Sequence, residues 1–127
     1  MANSNFEYTR TPSGIQIDKY LGKDSFIVIP EQIEELPVTS IGYRAFDNPD
    51  LRKVVIPASV HTIVYGAFFS KQPLSVLFNS SKISMMPQSF IAPSVTFYYS
   101  NPAIVRSLYE ITRKSSTCKM NYSVEDF

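Results

Sequence analysis

A short phrase recurs along this chain at a constant distance, and this repetition constrains the fold more than any other feature of the sequence. Phe46, Phe68 and Phe90 are spaced by 22 residues both times, and a small residue precedes each of them. The residues five positions before these anchors are Ile41, Ile63 and Met85. A unit this short cannot bury its own hydrophobic face, so successive units are expected to stack and share one core.

Apolar triplets accompany the anchors and predict short strands. The triplets 54–56 and 76–78 begin eight residues after Phe46 and Phe68, whereas the triplet 95–97 arrives three residues early after Phe90. A further triplet, 27–29, precedes the first anchor. Period-two alternation places the first and third residues of each triplet on one face and the middle residue on the other.

The residues that carry a family resemblance lie in the phrase LRKVVIPASVHTIVYGAF, residues 51–68. This phrase resembles the BspA-like type of leucine-rich repeat, whose units read Leu-x-x-Val-x-Ile-Pro, then Val-x-x-Ile-Gly, then Ala-Phe. The upstream text GIQIDKYLGKDSFIVIPEQIEELPVTSIGYRAF resembles the entry module of that family, a hairpin that runs into the first repeat with an insertion. The resemblance covers residues 6–110 and weakens after residue 70, where Asn79 replaces the proline of the unit.

Both ends of the repeat array carry signals of structures that cover a sheet edge. Residues 6–22 predict a β-hairpin with its turn in TPSG. Residues 100–114 predict a helix with Asn101 as its N-cap and Pro102 at its first position. The apolar residues on one face of this helix are Ile104, Leu108 and Ile111.

Together these signals predict a mostly β protein with a C-terminal α-helix, folded as one domain over residues 1–127. The resemblance implies a leucine-rich-repeat solenoid of about 3 to 4 turns. The predicted parts are the N-terminal hairpin cap (6–22), the repeats (23–99), the capping helix (100–114) and a tail (115–127). The tail is expected either to be loose or to add a short strand.

Composition limits the possible partners and locations. The net charge is +1, from 12 basic and 11 acidic residues, which gives no electrostatic footprint for nucleic acid. No window approaches the roughly 18 apolar residues of a membrane span, so no membrane insertion is expected. The start of the sequence is not a secretory signal as written, so we expect a cytoplasmic protein, or a cell-surface one if the sequence is a processed fragment.

The sequence offers little for catalysis, and no catalytic residue, cofactor or metal site is predicted. His61 is the only histidine, and it occupies a polar position in ASVHTI. The glycines are isolated, so there is no phosphate-binding loop. Glu31, Glu34 and Glu35 cluster on the insertion, where a solvated loop is favoured over a cation site, since calcium needs about six oxygen ligands. We therefore expect a protein that is not an enzyme.

The middle residues of the triplets are predicted to form an outward row, with three aliphatic side chains in succession. Such a row on a solvent-facing sheet suggests a site that a partner covers. Two alternatives are that the aliphatic residues only serve strand propensity, and that the tail folds over them. The candidate partner-binding residues are Val28, Arg52, Lys53, Val55, Ser75, Leu77, Thr96 and Tyr98.

The resemblance implies a non-enzymatic module for protein–protein interaction that binds a protein through the strand face, and the family is associated with surface adhesion. Two alternatives remain open at this stage. One is an intracellular inhibitor or effector protein. The other is a structural repeat that associates with itself, at least weakly, through exposed strands.

Overall fold

The computed structural model describes residues 5–86, 88–115 and 117–127. This part of the chain is mostly β-structure with one short helix, α1 (Val105–Thr112), which confirms the coarse fold prediction. The strands are β1 (Phe6–Thr11), β2 (Gly14–Tyr20), β3 (Phe26–Val28), β4 (Gln32–Ile33), β5 (Leu36–Ile41), β6 (Phe46–Asp47), β7 (Lys53–Ile56), β8 (Thr62–Ile63), β9 (Phe68–Phe69), β10 (Leu74–Phe78), β11 (Ser84–Met85), β12 (Phe90–Ile91), β13 (Val95–Tyr99) and β14 (Cys118–Met120).

The first two strands form an antiparallel hairpin, with Pro12 and Ser13 in the turn. Gly14 follows the turn with φ of +147°, and a Cβ at this position would lie 2.3 Å from the carbonyl oxygen of Pro37. Glycine is required there because the neighbouring backbone approaches so closely. The hairpin is joined to the rest of the protein because β2 pairs in parallel with β5.

The strands form three sheets, and strands one repeat apart pair in parallel. The first sheet has the order β1-β2-β5-β8-β11, with β4 pairing beside β5. The second has the order β14-β13-β10-β7-β3, and the third has the order β12-β9-β6. The pairs that confirm the 22-residue alignment are Ile41 with Ile63, Ile63 with Met85, Phe46 with Phe68, Phe68 with Phe90, and Val54 with Val76.

A row of aromatic rings runs through the core. The Phe46 and Phe68 ring centroids are 4.9 Å apart, the Phe68 and Phe90 centroids are 4.7 Å apart, and the planes of adjacent rings are nearly parallel. Tyr20 stacks on Phe46 at 5.7 Å and extends the row toward the hairpin. The three phenylalanines are buried, and the inward residues of the second sheet complete one continuous hydrophobic cluster around them. We call Phe46, Phe68 and Phe90 the phenylalanine row.

Strand β13 pairs with β10 in a register that differs from the predicted one. Thr96 lies opposite Ser75, and Tyr98 lies opposite Leu77. The prediction that Thr96 continues the outward row of Leu77 is therefore wrong by two residues, and Tyr98 takes that place. A shift of two residues leaves every side chain on the same face, so alternation cannot distinguish the two registers. The register that forms buries the bulky Phe97 completely opposite a core valine.

The insertion before the first anchor is a second, smaller hairpin made by β4 and β5. Its two-residue turn consists of Glu34 and Glu35, with φ of +55° and +66°. Positive φ at both central residues is the backbone of a type I′ turn, which suits the twist of paired strands. The sequence alone suggested a solvated loop here, and the carboxylates are indeed exposed, but the backbone is an ordered turn.

The backbone takes a left-handed conformation two residues before each member of the phenylalanine row. The positions are Arg44 with φ of +56°, Gly66 with +68° and Gln88 with +57°. The amide of Arg44 donates to the carbonyl of Gly66 at 3.0 Å, and the amide of Gly66 donates to the carbonyl of Gln88 at 2.8 Å. The backbone turn before each phenylalanine therefore recurs in the same conformation in all three repeats.

The helix is shorter than the predicted 100–114. The Asn101 side chain accepts a hydrogen bond from the amide of Ala103 at 3.0 Å, and a 3-10 turn at Pro102–Ile104 leads into α1. Leu108 is fully buried, so the helix packs one apolar face on the core. After the helix, β14 joins the second sheet beside β13. Among the described residues, no helix is long and apolar enough to cross a membrane.

Candidate partner-binding face

The second sheet has an outward side, which we call the strand face. It is outward because the intervening residues of each strand, such as Ile27, Val54 and Val76, are buried in the core. One row of the strand face consists of Val28, Val55, Leu77 and Tyr98. The other row consists of Phe26, Lys53, Ser75, Thr96 and Lys119.

All the predicted partner-binding residues except Arg52 lie on the strand face. Arg52 is exposed and directly precedes β7, at the rim of the face. The parallel pairing brings Val28, Val55 and Leu77 into one row, as the sequence predicted. Thr96 belongs instead to the row of Lys53. Whether these residues bind a partner stays a prediction.

Exposure varies strongly across the strand face. At the β3 end, Phe26 is 53% exposed and Val28 is 65% exposed. Val55 and Leu77, in the middle, are half-buried. At the β13 end, Tyr98 is only 8% exposed, although its side chain points away from the core. The apolar surface is therefore open at one end and covered at the other.

The cover is residues 121–127, which we call the covering segment. The ring centroid of Phe127 lies 5.3 Å from that of Tyr98 and 6.0 Å from that of Phe26, edge to face in both cases. The Lys53 ammonium lies 5.0 Å from the centroid of the Phe127 ring, and it also donates to the Phe127 carbonyl oxygen. Phe127 thus bridges β3 and β13 across the strand face.

The covering segment is fixed to the sheet where it begins. The Asn121 amide donates to the carbonyl of Phe97 at 2.9 Å, directly after β14. A 3-10 turn at Val124–Asp126 then turns the chain, and the amide of Phe127 donates to the carbonyl of Val124 at 3.1 Å. Residues 122–126 are exposed, whereas Phe127 is half-buried.

Phe26 and Phe127 are parts of the site that sequence reasoning missed. Phe26 could have been found, because it alternates with Val28 and so extends the outward pattern by one position. For Phe127 there was no comparable signal, since its place depends on where an irregular segment crosses the sheet.

The strand face carries basic side chains, and the covering segment carries acidic ones. Lys53 and Lys119 are on the face itself, and Arg52 is exposed beside it. Glu125 and Asp126, in the covering segment, are exposed and directly precede Phe127. An acidic segment with an aromatic residue therefore lies over a sheet surface with a basic margin.

The side chains considered for catalysis or metal binding, such as His61 and Glu34, lie apart from one another. The exposed His61 ring has its Nδ1 3.0 Å from the hydroxyl of the neighbouring Thr62. Within residues 5–86, 88–115 and 117–127, no group of three or more His, Cys, Asp or Glu side chains is placed to hold a metal ion. Glu34 instead accepts hydrogen bonds from the Tyr8 hydroxyl and the Arg10 guanidinium on β1. These bonds, that from Tyr8 foremost, lower the pKa of Glu34 below its ordinary value.

A cavity of about 490 Å³ lies where the repeat departs most from its pattern. Its lining includes Met85 and Phe90 of the third repeat, Ile111 of α1, and Cys118 of β14. Phe90 ends the phenylalanine row here, so the cavity adjoins the last ring of the core. The lining joins apolar groups to the charged Lys114.

Comparison of the chain with models of protein families, with curated proteins and with solved structures gave no match.

Proposed function

We propose that this chain is a short leucine-rich-repeat solenoid of the BspA-like type and serves as a non-enzymatic protein–protein interaction module. Its binding site is the strand face, with Leu77 near the centre. The parallel pairing of strands 22 residues apart supports the solenoid, because such pairing is what stacked repeats require. Surface adhesion is one use of such a module.

The observation that carries the proposal is the exposed apolar row on the strand face. Val28, at 65% exposed, is followed across the strands by the half-buried Val55 and Leu77, and Phe26 lies beside Val28 at 53% exposed. A contiguous apolar patch with a charged margin is typical of surfaces that bind proteins. The basic residues beside it are suited to selecting an acidic partner surface.

The test is affinity capture from a lysate of the source organism, followed by binding measurements with the purified, identified protein. Leu77→Glu places a charge at the centre of the face, and we expect it to weaken binding by about tenfold or more. Leu21→Glu is the matched control, since Leu21 is 48% exposed and lies outside the strand face. Equal binding of the identified partner by wild type and Leu77→Glu, with both folded, would refute the site.

Self-association is a second candidate that one observation favours. Strand β3 ends the order of the second sheet, and the described strands pair with only one of its edges. Exposed edges that carry apolar residues can pair with another copy. Sedimentation at about 100 μM distinguishes the two candidates, because a monomer at that concentration argues against a stable dimer. An inhibitor or effector role would use the same face and differs only in the partner.

A further inference from the structure

The covering segment occupies the strand face in the manner of a bound peptide. Its Phe127 ring has the edge-to-face geometry that aromatic pairs favour with both Tyr98 and Phe26. Lys53 recognises the same residue twice, through the ring face and through the carbonyl oxygen. Lys53 therefore contacts both the side chain and the backbone of Phe127, as a peptide-binding site does with its ligand.

The covering segment is held mainly at its two ends. Between Asn121 and Phe127, the backbone hydrogen bonds are local, such as that from the Asp126 amide to the Ser123 carbonyl at 3.1 Å. The intervening residues are exposed, and Tyr122, at 71% exposed, packs edge to face against Tyr99, with ring centroids 6.2 Å apart. Segments with little burial and local hydrogen bonds open at low free-energy cost.

The strand face also offers more surface than the covering segment uses. Phe26 and Val28 stay more than half exposed while Phe127 is in place. A longer partner segment would bury them as well, and so would gain apolar contact that the covering segment does not make.

We propose that residues 121–127 are a built-in competitor for the strand face, and that the face takes a protein segment in which acidic residues precede an aromatic one. This inference rests on the proposed function and names the chemistry of its partner. Glu125, Asp126 and Phe127 display that chemistry in cis, and Phe127 contacts Lys53 on the strand face. Because a tethered segment has a high effective concentration, it excludes weak ligands and yields to ones with more contacts.

A labelled peptide with the sequence of residues 123–127, Ser-Val-Glu-Asp-Phe, tests the inference in trans. The peptide is amidated, so that its own terminal charge does not contribute, and its binding to the full chain is followed by fluorescence anisotropy. We expect Phe127→Ala to bind it about tenfold or more tightly than wild type does, because the competing ring is gone. Adding Lys53→Ala to Phe127→Ala should abolish this gain.

Two controls distinguish the loss of the Phe127 ring from a general loosening of the covering segment. Tyr122→Ala removes an exposed ring from the same segment and should leave peptide binding at the wild-type level. A peptide with Ala in place of Phe should fail to bind the Phe127→Ala chain, and one with Gln and Asn in place of Glu and Asp should bind it more weakly. Thermal unfolding verifies that each variant is folded.

Equal peptide binding by wild type and Phe127→Ala, including no binding by either, would overturn the inference. So would a gain of the same size in Tyr122→Ala. These outcomes do not decide the proposed function, because the Leu77→Glu experiment measures an identified partner and involves no change in residues 121–127. If partner binding depends on Leu77 while Phe127→Ala leaves peptide binding unchanged, only the proposal of a built-in competitor is refuted.

Discussion

The phenylalanine row and the strand face are both built by strands that pair in parallel from one repeat to the next, and they have opposite physical character. In the phenylalanine row, one residue type recurs three times, each ring is buried, and neighbouring rings lie 4.7–4.9 Å apart. Across the strand face, the residue changes from Val28 to Leu77 to Tyr98, and exposure falls from 65% to 8%. The inward row repeats because each buried ring has to fill the same space between its neighbours in the core. The outward row is free to vary, because no neighbouring side chain fixes its shape.

The largest effect that this comparison predicts is for truncation within the phenylalanine row. Phe68 has a ring on either side, so Phe68→Ala opens a cavity and removes two stacking contacts. We expect the free energy of unfolding to fall by about 3–5 kcal/mol. Val28→Ala on the strand face should change it by no more than about 0.5 kcal/mol. Urea unfolding measures both, and similar losses for the two variants would remove the distinction between the rows.

An intermediate effect is expected at the left-handed turn that precedes each ring. Gly66 has φ of +68°, and a Cβ there would lie 3.0 Å from the Cε1 atom of Tyr43. Gly66→Ala should therefore destabilise the protein by about 1–2 kcal/mol. The matched reverse change is Gln88→Gly, which relieves the same backbone strain at φ of +57° and should stabilise by several tenths of a kcal/mol. Thermal unfolding of the two variants should show shifts of opposite sign.

The smallest expected effect is on the pH dependence of stability. It arises outside both rows, at the Glu34–Glu35 turn between β4 and β5. Hydrogen bonds from Tyr8 and Arg10 lower the pKa of Glu34 below its ordinary 4.5, so the unfolded chain takes up this proton first. The stabilisation is fully present above pH 4.5 and is lost as the pH falls through the folded-state pKa. Glu34→Gln should therefore lose less stability on acidification than wild type does.

Glu35→Gln is the control for this acid experiment, since it removes one carboxylate from the same turn. Urea unfolding at several pH values from 7 down to about 3 compares the three proteins. If wild type and Glu34→Gln lose stability equally steeply on acidification, then the hydrogen bonds from β1 to Glu34 do not contribute to the stability of the protein.

Much of the fold could be predicted from the sequence, because the inward residues recur at a fixed distance. The pairing of Phe46 with Phe68 and of Val54 with Val76 follows directly from the 22-residue spacing. The register of β13 could not be predicted in the same way. Thr96 and Tyr98 both point outward, and Phe97 points inward in either register, so period-two alternation accepts either residue opposite Leu77.

The candidate site could be predicted only in its regular part. Val55 and Leu77 follow from alternation within strands that pair in register. That the tail folds over the outward row was one of the alternatives open from the sequence. The contacts of Phe127 with Tyr98 and Phe26 could not be predicted, because they are made by residues that carry no periodic signal. The left-handed backbone at Arg44 and Gln88 was also hidden, since only Gly66 among these equivalent positions is a residue that favours it.

The number of parallel strands in the second sheet also sets the width of the strand face. Strands lie about 4.8 Å apart, so the five strands from β3 to β14 span about 19 Å from one edge to the other. An extended segment advances about 3.3 Å per residue, and a segment laid straight across the strands would reach from edge to edge with about six residues. Each additional unit of 22 residues would widen this platform by one strand. The number of repeats therefore sets the width of the strand face, and with it the length of any segment that could lie across it.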